Sequence, residues 1–243
     1  MQIGLPSWSS LIGELGEQLD YDADIFRSFS NFLALAEYYK LQHQSLASLA
    51  GFLEKKWHCS DVSIASSPLH KAIANSGFSR IYTTNFDRWL ERAFKHWNRP
   101  YRKIVRVCDF GNAANSETEI VKFHGDFEDA ETLVLTESNY FDRLEFEHPL
   151  DIMLRADILQ RPILFIGYSL ADVNMRYLFH KLAKIWSDPA VKQSGKESFI
   201  FMAQPNPIEQ ALFNQWGITP VVDENGDGSG LADFLSGLPK PKS

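Results

Sequence analysis

Three short segments place chemically capable residues where an α/β chain meets its ligands. They are Thr83-Thr84-Asn85-Phe86-Asp87, Lys122-Phe123-His124-Gly125-Asp126 and Phe165-Ile166-Gly167-Tyr168-Ser169-Leu170-Ala171-Asp172. Each follows a run with strand character, and in open parallel sheets ligands bind outside the carboxyl ends of the strands. In the first, Asn85 offers two amide donors and an acceptor, and the carboxylate of Asp87 can accept hydrogen bonds from ribose hydroxyls. Thr84 and Asp87 also have the spacing of a helix-opening capping box, a purely structural role that leaves Asn85 unassigned. In the second, His124 titrates near neutrality in its unperturbed state and so suits general-base chemistry, while Gly125 permits close approach to the backbone. A histidine before glycine also fits an ordinary surface turn. In the third, Gly167 and Ser169 stand where a strand enters a helix, with backbone N–H groups and the positive end of the helix dipole facing outward. Neither a P-loop nor a Gly-x-Gly-x-x-Gly fingerprint is present there.

Other chemistry is poorly supported. His43, His58, His70, His96, His148 and His180 lie in helical or surface contexts. Asp223-Glu224-Asn225-Gly226-Asp227-Gly228 imitates the front of a calcium loop, but the twelfth position is Phe234, where a bidentate glutamate is required. Two cysteines, Cys59 and Cys108, cannot build a disulfide scaffold or a four-thiolate zinc site, so no metal is expected. Against 24 basic residues stand 31 acidic ones, a net charge of −7, which excludes nucleic-acid binding through bulk charge. The amino terminus has no basic region followed by an apolar run, and no stretch reaches the 18 apolar residues of a membrane span, so the expected setting is cytoplasmic.

The elements that must position these segments follow from periodicity. Helical stripes run through Phe29, Phe32, Leu33, Ala36 and Leu41, and through Leu46, Leu49, Phe52 and Leu53. Ser67 followed by Pro68 opens a helix. Strands are expected at 80–83, 101–107, 119–123, 132–135, 161–166, 199–202 and 218–222. Helices are expected at about 86–97, at 138–156 with a break at Pro149, through Leu170 to Ile185, around Leu212 and Trp216, and at 231–235. Helices between strands imply crossover connections. The expected fold class is therefore α/β, Rossmann-like, with a mostly parallel sheet, helices on both faces and an inserted helical subdomain. With 243 residues and 44% of them hydrophobic, the chain reads as a single domain: a helical portion at about 10–60, a core at 61–222, and a loop with a terminal helix at 223–243.

Taken in order, five segments resemble the SIR2-like (sirtuin-fold) family, closest to its prokaryotic branch of NAD hydrolases in anti-phage defence. They are Gly4-Leu5-Pro6-Ser7-Trp8 with Leu11-Ile12, Ile81 to Asp87, Lys122 to Asp126, Leu135 to Tyr140, and Phe165 to Leu170 with Asp172. The resemblance implies NAD+ as substrate and no bound cofactor. It implies catalytic roles for Asn85 and His124, and NAD+ contacts from Thr84, Asp87, Gly125, Gly167 and Ser169, with the last two on the adenosine side and the loop after Met202 over adenine.

Breaking the nicotinamide–ribose bond passes through an oxocarbenium-like state, as in glycoside hydrolysis, and nicotinamide leaves as a neutral base. The resemblance also implies a homo-oligomer or a defence-system partner. Deacylating members usually carry a four-cysteine zinc module, so two cysteines favour NAD+ hydrolysis over protein deacylation. The alternative is a catalytically degenerate module that binds NAD+, ADP-ribose or another protein. In the family, Gly-Leu-Pro-x-Trp follows a first strand and a Gly-Ala-Gly-x-Ser phosphate loop. Gly4 stands too near Met1 for either to precede it, so three explanations stand open: both lie upstream of this sequence, a partner supplies them, or the chain is the degenerate module without them.

Overall fold

Six strands pair exclusively in parallel among the described residues, and they do so as two sheets of three. The structure is a computed structural model and describes residues 31–58, 63–111, 117–145, 147–168, 173–189 and 197–239. These fall into two compact units, one within residues 31–142 and one at Arg143–Leu238.

The first unit holds helices α1 (Phe32–His43), α2 (Ala47–Trp57), α3 (Pro68–Asn75) and α4 (Trp89–His96). Its strands are β1 (Arg80–Thr83), β2 (Tyr101–Ile104) and β3 (Thr118–Lys122). Strand order is β1-β3-β2, so β3 is central. Helix α3 starts where the serine–proline pair directs: Ser67 Oγ accepts the His70 N–H, and Pro68 occupies a position whose N–H would have no helical partner. Ala74 of α3, Ala93 and Phe94 of α4 and Ile120 of β3 form one apolar cluster. A second cluster joins Leu35, Ala36 and Tyr39 of α1 and Leu49, Ala50 and Leu53 of α2 to Phe86, Phe127, Leu133 and Leu135. That second cluster anchors the loops after β1 and β3 from below. Helix α5 (Glu137–Leu144) follows and crosses into the second unit.

The second unit continues with α6 (Pro149–Gln160), β4 (Leu164–Ile166), α7 (Val173–Trp186), β5 (Ser198–Met202), α8 (Pro207–Gln215), β6 (Ile218–Val222) and α9 (Leu231–Gly237). Strand order β4-β5-β6 with intervening α7 and α8 makes a βαβαβ unit, a Rossmann-like arrangement. Phe179 of α7 packs against Phe165, Phe213 and Trp216, with ring centroids 5.0 to 5.9 Å apart. The glycine-rich segment after β6 is organised by Asp223, which is buried. Its carboxylate accepts the N–H groups of Asn225 at 3.3 Å, Gly228 at 2.7 Å and Gly230 at 3.4 Å.

The α/β, Rossmann-like reading of the sequence agrees with these elements, and Pro149 divides α5 from α6 as expected. Several local expectations are corrected. Leu41 is 69% exposed, and the buried stripe of α1 runs through Leu35, Ala36 and Tyr39 instead. Residues 132–135 form no strand: a 3-10 turn covers Ala130–Thr132, and the Val134 N–H bonds to the His124 carbonyl. Strand β2 stops at Ile104, because Asp109 takes the N–H groups of Val105 and Arg106. Phe29, Cys59, Ser169 and Asp172 lie outside the described residues. No described helix is long and apolar enough to cross a membrane.

Candidate functional site

The site begins at a pair of level strand ends. Thr83 of β1 and Lys122 of β3 are partners in parallel register, and the Phe123 N–H closes the ladder on the Thr83 carbonyl at 2.8 Å. Neighbouring strands lie roughly 4.8 Å apart, so the segments leaving them, with Asn85 and His124, emerge side by side. The β1 segment does not enter its helix at once. Helix α4 begins at Trp89, with Arg88 at its N-cap and no side chain capping it, so the Thr84–Asp87 capping box is not formed. Instead Thr83 Oγ1 accepts the Asn85 N–H at 3.1 Å, and Asp87 Oδ1 accepts the Trp89 N–H at 3.1 Å. Phe86 is buried and its carbonyl accepts the Phe127 N–H at 3.3 Å, which fastens the two strand-end loops to each other. Asn85 is left exposed, and Thr84 and Asp87 are half-buried.

His124 is half-buried between aromatic rings: Tyr140 meets it edge-on at 5.3 Å and Phe123 lies at 5.8 Å. Tyr140 is placed by a reciprocal cap at the start of α5. Thr136 Oγ1 accepts the Asn139 N–H at 3.3 Å, and Asn139 Oδ1 accepts the Thr136 N–H at 3.4 Å. Gly125 has φ +93°, and a Cβ there would stand 2.2 Å from the Thr132 carbonyl oxygen. The close approach that glycine permits is thus taken by the chain's own backbone. The turn folds the following residues back on this segment, and the Val134 N–H bonds to the His124 carbonyl at 2.8 Å.

Under both loops lies a charge cluster whose inner members, Lys122, Glu91 and Asp126, are buried and whose outer member Glu128 is exposed. Lys122 is 1% exposed, and its ammonium donates to the main-chain carbonyl of Asp87 while standing 3.4 Å from Glu91 and 3.9 Å from Asp126. Asp126 also accepts from Lys103 at 3.1 Å, and Lys103 reaches Glu128 at 2.5 Å. Arg88 bridges Glu54 of α2 and Glu128. Burial pushes the Asp87 carboxyl above its ordinary value, against the Trp89 N–H and the nearby Lys122 charge. Burial raises Glu91 in the same way, with Lys122 opposing. His58, just past α2, accepts the Arg88 N–H on Nε2 at 2.9 Å. Burial first, then the charges of Arg92, Arg88 and Lys122, lower its pKa to about 4, so it is neutral at neutral pH.

The structure therefore brings Thr84, Asn85, Asp87, His124 and Gly125 to one sheet edge of the first unit. Gly167 follows β4 in the second unit, exposed, with φ +75° and open space where a Cβ would point. Ser169 is outside the described residues. Periodicity missed Lys122 and His58. A lysine between Val121 and Phe123 in an apolar run was a usable signal, since a cation there must be buried with partners. His58 gave none, because its partner is thirty residues away. Among the described residues no group of three or more His, Cys, Asp or Glu could hold a metal ion.

The sequence profile of the SIR2-like domain family matches residues 79–221, more than half of the chain. The chain belongs to the SIR2-like domain family. The match takes in both sheets and all of the loop segments just described except those before residue 79. Among relatives of this SIR2-like chain, NAD(+) hydrolase ThsA of Cytobacillus dafuensis is 25% identical over 209 residues, covering 84% of this chain and 39% of that protein. NAD(+) hydrolase ThsA of Bacillus cereus (strain MSX-D12) is 24% identical over 183 residues, 75% of this chain and 37% of that protein. Defense-associated sirtuin 2 of Bacillus subtilis is 28% identical over 147 residues, 59% of this chain and 14% of that protein. The SIR2-like chain thus spans well under half the length of these relatives.

Proposed function

We propose that this chain carries an NAD+ glycohydrolase site that cleaves the nicotinamide–ribose bond with water, releasing nicotinamide, ADP-ribose and a proton. The observation that carries the reading is the level ending of β1 and β3, which sets Asn85 and His124 on adjacent strand ends. Asn85 is the exposed amide, suited to orient the attacking water or the nicotinamide carboxamide. His124 accepts the proton of that water or of a ribose hydroxyl. Thr84 and Asp87 hold ribose, and Gly125 shapes the turn after His124. Contacts from Gly167 and Ser169 to the adenosine side rest on the family resemblance. In the same reading, residues 1–243 are one SIR2-like domain with its Rossmann-like core at 61–222.

The names of the relatives, NAD(+) hydrolase and defense-associated sirtuin, support a role in prokaryotic defence with NAD+ as the partner molecule. Nicotinamide release by the full-length protein tests the proposal. His124→Ala is expected to lower the rate by about 10²–10⁴-fold, the range for removal of a general base, and Asn85→Ala to lower it comparably. Activity that persists undiminished in His124→Ala overturns the assignment. Binding of NAD+ by calorimetry with no product from the wild type supports the non-catalytic binding module instead.

A further inference from the structure

The peptide bond between Asp87 and Arg88 is gripped from both sides. Its carbonyl accepts from the buried ammonium of Lys122, at the end of β3. Its N–H donates at 2.9 Å to Nε2 of His58, just past α2. In a trans peptide these two groups point in opposite directions, so two side chains from two other elements fix the orientation of a single peptide plane.

The segment needs such a grip. Residues 84–88 belong to neither strand nor helix, and their backbone has no regular ladder to hold it. Its other restraints include Thr83 Oγ1 on the Asn85 N–H, the Phe86 carbonyl on Phe127 and Asp87 Oδ1 on the Trp89 N–H. Both gripping residues are themselves held. Lys122 has Glu91 and Asp126 within 3.9 Å. His58 packs its ring against Trp89 at 5.8 Å and Phe127 at 6.4 Å. One turn before it on the same helix, Glu54 takes the guanidinium of Arg88, so the carboxyl end of α2 clamps Arg88 by its backbone and its side chain together. Lys122 lies two residues before His124, so its bond to Asp87 ties the strand that carries the histidine to the loop that carries the asparagine.

We infer that Lys122 and His58 are positioning residues that fix the Asp87–Arg88 peptide and thereby set Asn85 and Asp87 against His124. The inference rests on the glycohydrolase reading for its kinetic consequence but not for its structural one. A displacement of about 1 Å in such a site costs on the order of 10²-fold in rate. Neutral His58 is required, since a protonated ring has no acceptor left for the Arg88 N–H. The low pKa of His58 keeps that acceptor available across the neutral range.

The test uses the full-length protein in its wild-type, His58→Ala, His58→Gln and Lys122→Met forms. Glutamine keeps an acceptor oxygen near the place of Nε2. Three quantities are read: nicotinamide release at saturating and limiting NAD+, thermal midpoint, and hydrogen exchange of the Arg88 amide by NMR. His58→Ala is expected to speed Arg88 exchange at least tenfold and to lower kcat at least tenfold with little change in KM, and His58→Gln to restore most of both. Lys122→Met is expected to lower kcat similarly. A folded His58→Ala protein whose kcat stays within twofold of wild type overturns the positioning role, whatever its thermal midpoint. So does unchanged Arg88 exchange. If the wild type releases no nicotinamide, the glycohydrolase reading fails by itself, and the grip is judged on Arg88 exchange alone. If Lys122→Met does not fold, His58→Ala, which leaves the charge cluster intact, decides the matter.

Discussion

Thr83 and Lys122 are the last paired residues of neighbouring parallel strands, and the two candidate catalytic residues each stand two positions beyond them, Asn85 after Thr83 and His124 after Lys122. Parallel pairing makes this possible: both chains travel the same way and leave the sheet at the same edge. Antiparallel strands would have sent one of the two residues to the opposite end. The site is therefore a consequence of register, and the residues that secure register and loop path become the places to perturb it.

Lys122 is the first of these. Replacing it with methionine leaves Glu91 and Asp126 buried around an apolar tip, and breaking a buried ion pair on one side costs about 3–5 kcal/mol. Asp126 keeps Lys103, so the larger uncompensated charge falls on Glu91. Pairing Lys122→Met with Glu91→Gln is expected to recover part of the loss. Because burial already raises the Glu91 carboxyl, the defect of Lys122→Met should shrink as pH falls and Glu91 takes up a proton. Urea unfolding at pH 7 and pH 5 measures both effects.

Three glycines should separate cleanly. Gly125→Ala meets the Thr132 backbone at 2.2 Å and keeps a left-handed φ, so it should cost more than about 2 kcal/mol. Gly167→Ala has the same kind of φ with open space around it, so only the conformational cost of about 1–2 kcal/mol applies. Gly51, inside α2 with nothing within 4 Å of a Cβ, should gain about 0.5–1 kcal/mol on change to alanine. Denaturant midpoints of the three variants check the order.

Two histidines predict an acid limit. His58 and His70 each have a folded pKa lowered to about 4, through burial in both and, at His58, through Arg92, Arg88 and Lys122 against Asp126. An unfolded histidine titrates near 6.5. Between these values the unfolded chain binds more protons than the folded one, so stability falls as pH drops from about 6.5 towards 4 and is at its full value above. Burial also raises Asp87 and Glu91, which works in the opposite sense around the carboxylate range. His70→Gln is expected to flatten the decline between pH 6.5 and 4 in thermal-melt measurements. An unchanged slope would remove His70 as a source of it.

Much of the fold was legible because local rules were consistent there. The serine–proline pair marked the start of α3, Pro149 the break between α5 and α6, and the β-branched run at 80–83 the strand β1. Where two local rules compete, the structure departs from the pattern. Thr84 and Asp87 have the spacing of a capping box, but Thr83 Oγ1 accepts the Asn85 N–H and Asp87 Oδ1 accepts the Trp89 N–H, and the helix begins only at Trp89 with Arg88 at its N-cap. Leu41 had the period of a core residue, yet the face of α1 that meets α2 runs through Leu35 and Tyr39. Residues 132–135 had strand composition, but the chain there must pass under Gly125 and cannot also join a ladder.

By itself the sequence determined the α/β class, the placing of most elements and the three strand-end segments, because these depend on periodicity, caps and breakers within a few residues of one another. It also singled out Asn85 and His124, whose chemistry is written in residue type. The tertiary structure decided which strand ends are neighbours, why Gly125 must be glycine, and what holds the Asn85–Asp87 segment in place. Those answers involve Lys122, His58 and Thr132, each brought to its partner across a distance in sequence that no local pattern encodes. A buried cation and a neutral imidazole acquire their roles only from the carbonyl and the N–H that packing sets before them.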